Sequence, residues 1–318
     1  NGFETKTISI NPRPKIPQAV SIQLITTEEA YWASRPEVIS TPLGNKLKLF
    51  KPNDEVFSMG APRREPGRRA NEAEKRIQLQ GPFYFAITET SNKEYRQWKS
   101  EHNSSSIRGL SLDLNDQPVS NIAWQDAALF CNWLSEKENL PKFYNVVGDR
   151  VTSINWDSNG YRLPTESEWS WVAKVTKAGS TKIFPWKSPS YPPPFVSGNY
   201  ADESAKSMLP FTISNYNDSF PVSASVGSFR PNEKGIFNLS GNVAEWVNDF
   251  YEIRVNKSEP LVDYRGPNTG NRHVIRGASW ALGSRSELRL SYREPGNNGK
   301  IDVGFRIARY VDKPKGDL

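Results

Sequence analysis

The chain has 318 residues and a formal charge of +6, with 36% hydrophobic and 24% charged residues. That length buries a sizeable core in one large domain or two small ones, and no run approaches the roughly 20 apolar residues that span a bilayer. A single cysteine excludes an internal disulfide, and 2 histidines exclude a three-histidine metal centre within the chain.

The opening stretch, NGFETKTISINPRPK, lacks the basic-then-apolar pattern of a leader. It reads as the start of an already processed, extracytoplasmic chain. Residues 1–46 combine alternating Ile and Leu, a capping-box-like Thr26-x-x-Glu29 and Pro-rich extended chain. These features predict an N-terminal extension or the end of a preceding small β domain. Strand-like LKLFKP and FSMG open a core module over 47–312, and 313–318 is a C-terminal tail. Arg63, Arg64, Arg68 and Arg69 lie among acidic and polar neighbours. They read as a solvated loop, so no nucleic-acid partner is expected.

Ser91-x-x-Glu94 predicts a first helix with Tyr95 and Trp98 on one face and His102 at its end, where a cation favours the helix dipole. From Trp124, the residues Ala127, Phe130, Cys131 and Leu134 recur at the spacing of a buried helical stripe. Cys131 therefore reads as a small core hydrophobe. Thr165-x-x-Glu168 starts a third helix with Trp169, Val172 and Ala173 inward, and Glu168 serves its cap. After Lys174 the chain breaks into short apolar pieces separated by SPSYPPP, GPNTG and EPGNNG. Such a stretch satisfies its backbone polar groups through ions, rings or side chains. Of the N-x-S/T sequons at Asn103, Asn217, Asn238 and Asn256, that at Asn238 is expected to be buried. No GxSxG, HExxH, Walker or CxxC sequence occurs.

An ordered series of blocks carries a family resemblance. It comprises FSMG at 57–60, ITETSNKEY at 87–95, PVSNIAWQDAALFCNWL at 118–134, GYRLPTESEW at 160–169, GIFNLSGNVAEW at 235–246, VIRGASW at 274–280 and VGFRIAR at 303–309. The series resembles the formylglycine-generating-enzyme, or sulfatase-modifying-factor, family over most of the chain. The resemblance implies an α+β fold, a loop-rich variant of the C-type lectin fold with little regular secondary structure. The region before the module also resembles bacterial proteins in which it follows a PEGA-type β domain.

The same resemblance locates the chemistry. The family's copper-binding cysteine pair falls on Leu282 and Glu287, and neither supplies the soft thiolate that Cu(I) needs, so no copper is expected. Iron-dependent relatives take their metal from histidines in another domain. A pair of structural calcium ions is implied instead. One would use Asn238, Gly241, Val243 and Glu245, and the other Asn199, Tyr200, Asp218 and Phe220, with Tyr200 and Phe220 giving main-chain oxygens. Calcium takes about six to eight hard oxygens, and these residues offer side-chain and main-chain oxygens of that kind. The strands at RGASW and GFRIAR would be central, with Arg276 and Arg306 paired to carboxylates such as Glu245 or Asp249. The former active-site rim would present Trp280, Arg285, Glu287, Arg289, Tyr292, Arg293 and Asn297 to a ligand. Two readings follow. One is a noncatalytic, calcium-stabilised binding or scaffold module, bacterial and extracytoplasmic, for a protein or glycan partner or within a larger assembly. The other is a copper-independent oxidoreductase with a polar pocket beside Glu287 and Trp280.

Overall fold

The computed structural model describes residues 2–311 except 12, 15, 16, 18, 53 and 254–258. The C-terminal tail and the sequon at Asn256 lie outside the described residues. Helices form at Thr27–Ala33 (α1), Asn92–Tyr95 (α2), Trp124–Lys137 (α3) and Glu166–Lys174 (α4). α1, α2 and α4 each begin with a complete capping box: Thr26 with Glu29, Ser91 with Glu94 and Thr165 with Glu168. The hydroxyl accepts an otherwise unpaired amide, and the glutamate accepts the amide of the capping residue. α2 stops after one turn, which corrects the dipole role expected for His102. That ring lies edge-on to Tyr95, and its Nε2–H donates to the Ser120 carbonyl at 3.0 Å.

Two sheets make the frame. The larger is antiparallel, in the order Val38–Ser40, Lys46–Phe50, Phe83–Ala86, Ala308–Tyr310 and Tyr161–Arg162. The second runs Arg293–Gly296, His273–Arg276, Ala244–Phe250 and Val303–Phe305, its last pairing parallel. VGFRIAR is thus shared between the sheets. Ala308–Tyr310 and His273–Arg276 are interior strands as expected, whereas Val303–Phe305 is an edge strand of the second sheet. Phe83–Ala86 is buried on both faces, and its side chains alternate between two cores. Tyr84 and Ala86 join the α3 stripe of Ala127, Phe130, Cys131 and Leu134, together with Trp246 and Phe305. Phe83 and Phe85 meet Trp169, Val172 and Ala173 of α4. Burial raises the Cys131 thiol far above its ordinary value, which leaves it inert.

Between Val175 and Val243 the only described helix or strand is a 3₁₀ turn at Glu203–Ala205. Rings organise this half: Phe184 and Trp186 stack at 4.6 Å, and Tyr200 and Tyr216 pack nearby. No helix among the described residues is long and apolar enough to cross a membrane.

The interior is held by paired charges as well as rings. Arg162 grips both oxygens of Glu168 at 2.6 and 2.7 Å, and both side chains are buried. The pair joins the Tyr161–Arg162 strand to the start of α4. Replacing Arg162 by alanine strands a buried carboxylate, so Arg162→Ala should cost about 3–5 kcal/mol. Chemical denaturation measures this, and a loss below about 1 kcal/mol would mean that Glu168 finds water instead.

Candidate functional site

The GNVAEW segment turns sharply because Gly241 adopts φ +110° and Asn238 φ +54°. A β-carbon at Gly241 would lie 2.8 Å from the Asn199 carbonyl oxygen, so only glycine permits this approach. The Asn238–Glu245 loop therefore meets the loop carrying Asn199. The Asn242 amide donates to the Asn199 carbonyl at 2.9 Å, and the Asn199 side-chain amide reaches Asn242 Oδ1 at 3.3 Å. The two loops that carry most of the residues expected to hold the ions thus meet at Gly241, Asn242 and Asn199.

Glu245 is fixed by Arg306 Nε and Nη2 at 2.8 and 2.6 Å and by Trp169 Nε1 at 2.8 Å. Asp218 accepts the amides of Tyr200 and Phe220 at 3.0 and 2.9 Å, so their N–H groups face its carboxylate. Burial pushes the Asp218 carboxyl up to about 7. Around these groups, Asn199 Oδ1, Asn238 Oδ1, Ser223 Oγ and Ser240 Oγ are buried without a hydrogen-bond partner. Buried oxygens without donors suit a cation or water, and amide and carboxylate oxygens are the hard donors calcium takes. The donor chemistry fits. Among the described residues no cluster of three or more Asp, Glu, His or Cys is placed to hold a metal, so neutral oxygens would carry much of the coordination.

Sequence reasoning missed Glu89 and Asn242. Glu89 is fully buried and accepts the side-chain amides of Asn238 at 3.2 Å and Asn242 at 3.0 Å. Burial pushes it up to about 7 against the opposing pull of Arg306. Its only sequence signal is a glutamate within the otherwise apolar-to-cap run ITETS.

The expected rim is corrected at most of its positions. Trp280, Arg289, Tyr292 and Arg293 are buried, Glu287 is half-buried, and only Arg285 and Asn297 are exposed. Arg289 donates to Glu65 and Glu72 at 2.8 and 2.6 Å, and Arg293 clasps Glu166 at 2.7 and 2.8 Å. Arg276 lies 3.7 Å from Glu166, whereas Asp249 accepts the Glu166 amide. Glu287 accepts the Ser284 amide at 2.9 Å and faces Arg69 at 3.6 Å. Leu282 packs against the ring cluster of Phe184 and Trp186. Apart from Trp280, whose buried Nε1 has no hydrogen-bond partner, the inward-turned side chains are pinned by internal partners, which leaves the rim closed.

Of the expected rim residues, Asn297 alone lines either of the two large cavities. A cavity of about 1280 Å³ opens beside α1 and is lined by Tyr31, Trp32 and Tyr310, which also pack against the core. A second of about 780 Å³ runs past Trp124, His273 and Phe250, and Trp156 and Arg265 line both. Arg265 stacks over Trp156 at 4.4 Å. His273 is sandwiched between Trp124 at 3.5 Å and Phe250 at 4.4 Å. Apart from Asn297, no sequence pattern signalled the residues of these cavities, because they come from distant segments.

Comparison with known proteins agrees with the sequence blocks. Residues 34–311 match the model of the sulfatase-modifying factor enzyme 1-like domain. The formylglycine-generating enzyme of Streptomyces coelicolor is 28% identical over 207 residues, 63% of this chain and 55% of that protein. This chain thus spans about half of that enzyme's length. The chaperone protein LppX of Paenibacillus barcinonensis is 27% identical over 76% of this chain and 84% of its own. Mouse inactive C-alpha-formylglycine-generating enzyme 2 is 26% identical over 80% and 83%. In fold, Treponema denticola variable protein 1 superposes with a TM-score of 0.66, at 24% identity over 87% of this chain and all of that one.

Burial pushes the His273 imidazole down to about 4. Between about 6.5 and about 4 the unfolded chain carries a proton that the fold excludes, so this residue's contribution to stability falls as pH drops through that window. Thermal melts from pH 7 to 4 should show that loss. His273→Phe, which keeps the ring stack, should flatten it, and an identical pH profile would show that His273 is not the group responsible.

Proposed function

The chain belongs to the sulfatase-modifying factor enzyme 1-like family, and from that premise we propose that it is a noncatalytic, calcium-stabilised binding or scaffold module. The observation that carries this reading is the closed rim. Where the resemblance places the copper cysteines, Leu282 is packed into a ring cluster and Glu287 is tied to a backbone amide and faces Arg69. Neither large cavity is lined by these two residues or by Trp280, where a cysteine-independent oxidase would hold its substrate. Two relatives that cover most of this chain carry the names of a chaperone and of an inactive enzyme, which supports a role without catalysis.

Calcium accounts for the unpartnered oxygens of Asn199 and Asn238 and for the buried Asp218 carboxyl. With few charged ligands, such sites suit the high free calcium outside the cytoplasm, and that is where the module would act. The cavities meeting at Trp156 and Arg265 are its binding face. They combine ring surface with a cation and have the size of ligand sites. The partner would be a protein or a glycan.

Elemental mass spectrometry of the purified protein, paired with melting curves with and without a calcium chelator, tests this reading. Near-stoichiometric calcium, no copper or iron, and a melting point lower by several degrees after chelation are expected. Stoichiometric copper or iron, or a melt indifferent to chelation in a calcium-free protein, would overturn it.

A further inference from the structure

We propose that the cavity of about 780 Å³ beside the Arg150–Ile154 strand binds a hexuronic acid, a pyranose ring whose single carboxylate pairs with Arg265. The inference rests on the reading of the two cavities as the binding face, and it names the ligand class for one of them. Charge distinguishes the two. The larger cavity, beside α1, is lined by Glu4 and Asp157 as well as by arginines. The smaller has no aspartate, glutamate or lysine among its lining residues, and His273 is neutral at neutral pH. Arg265 is therefore its one formal charge among the described residues. A ligand that matches this cavity carries one negative group and is otherwise neutral.

Arg265 also has donors to give. Arg162, Arg276, Arg289, Arg293 and Arg306 are buried and hold carboxylates. Arg265 is half-buried, and among the described residues it makes no hydrogen bond or ion pair. Its guanidinium lies over the rings of Trp156 at 4.4 Å and Tyr310 at 5.8 Å, contacts that hold it in place without using its N–H groups. A planar carboxylate satisfies two of those donors at once.

A second donor comes from the sheet. Asn248, on the Ala244–Phe250 strand, is 2% exposed and lines the cavity. Its side-chain oxygen accepts the Tyr144 hydroxyl at 3.0 Å, and its side-chain N–H groups have no partner among the described residues. A buried donor is thus left for an acceptor in the cavity. Phe250 and Trp156 add ring surface for the apolar face of a pyranose, and the exposed amides of Asn268 and Asn297 suit its hydroxyls. A concave space of this size encloses a small ligand or the end of a saccharide, whereas a folded protein partner docks over roughly 800 Å² of surface.

Ligand-observed NMR titrations with glucuronate, galacturonate and mannuronate, each beside glucose, galactose or mannose, test the inference on wild type, Arg265→Gln and Arg265→Lys. At least one acid should bind wild type about tenfold or more tightly than its neutral parent. Arg265→Gln should bring that acid down to the level of the parent, and Arg265→Lys, which keeps the charge without the fork, should lie between. Both variants should melt close to wild type, since neither strands a buried carboxylate. Wild type that prefers none of the three acids overturns the inference, and so does a preference that Arg265→Gln leaves intact. Triglutamate bound through Arg265 more tightly than every sugar acid also overturns it, in favour of an acidic peptide. Copper or iron in protein that still binds a hexuronate through Arg265 overturns the noncatalytic reading and leaves this inference standing.

Discussion

The Arg306 guanidinium is the contact on which the remaining architecture depends. It is fully buried between the two sheets and donates to both oxygens of Glu245, to the carbonyls of Ala86 and Ile87 and to that of Phe237. It therefore ties the end of the Phe83–Ala86 strand, the loop before Asn238 and the Ala244–Phe250 strand to one planar group. Arginine suits this position because its rigid fork satisfies a carboxylate and several carbonyls at once, and lysine has no such geometry. Glu245 is held on its other side by Trp169 of α4, so helix, sheets and irregular loops share one anchor. The position of Glu245, and with it the first candidate ion site, follows from that anchor.

Much of this was legible in the sequence, and the limits are physical. Capping boxes and the α3 stripe are local patterns, so Thr26, Ser91, Thr165 and the Ala127–Leu134 face could be placed from spacing alone. The pairing of Arg306 with Glu245 could be anticipated because a strand-borne arginine in a core needs a carboxylate. Its counterpart at Arg276 could not, since Glu166 and Asp249 compete for the same buried space and only the packing decides between them. The rim misled for a related reason. Arg289, Tyr292 and Arg293 have the composition of a recognition loop, but Glu65, Glu72 and Glu166 arrive from far earlier in the chain and turn the two arginines inward, while Tyr292 donates to Glu294. Long-range charge pairing leaves no trace in local composition.

Rim and cavities differ in how their polar groups are used. The rim segment is saturated: almost every polar side chain there has an internal partner, and ordered, partnered groups have nothing left to offer a substrate. The cavities beside α1 and the Val151–Ile154 strand residues keep ring faces and amides in contact with solvent. The scaffold thus commits its buried charges to rigidity along the rim, while open ring and amide surface is found in the cavities, which the rim reaches at Asn297. Function in this family of folds follows the site and not the fold.

The sharing of residues 303–310 between two sheets has a consequence for biosynthesis. The Ala308–Tyr310 strand sits between Phe83–Ala86 and Tyr161–Arg162, so the larger sheet is split into unconnected pieces until that strand arrives. A ribosome must have made the chain through residue 310 before the gap can close. Until then the buried faces of Phe83–Ala86 have no neighbour on one side, an edge that invites pairing with other nascent chains. Contacts spanning more than two hundred residues also close slowly. Among the described strands, the one latest in the chain is the one that closes the larger sheet, so a chain cut short before residue 308 should lose far more of its fold than that short strand's length would suggest.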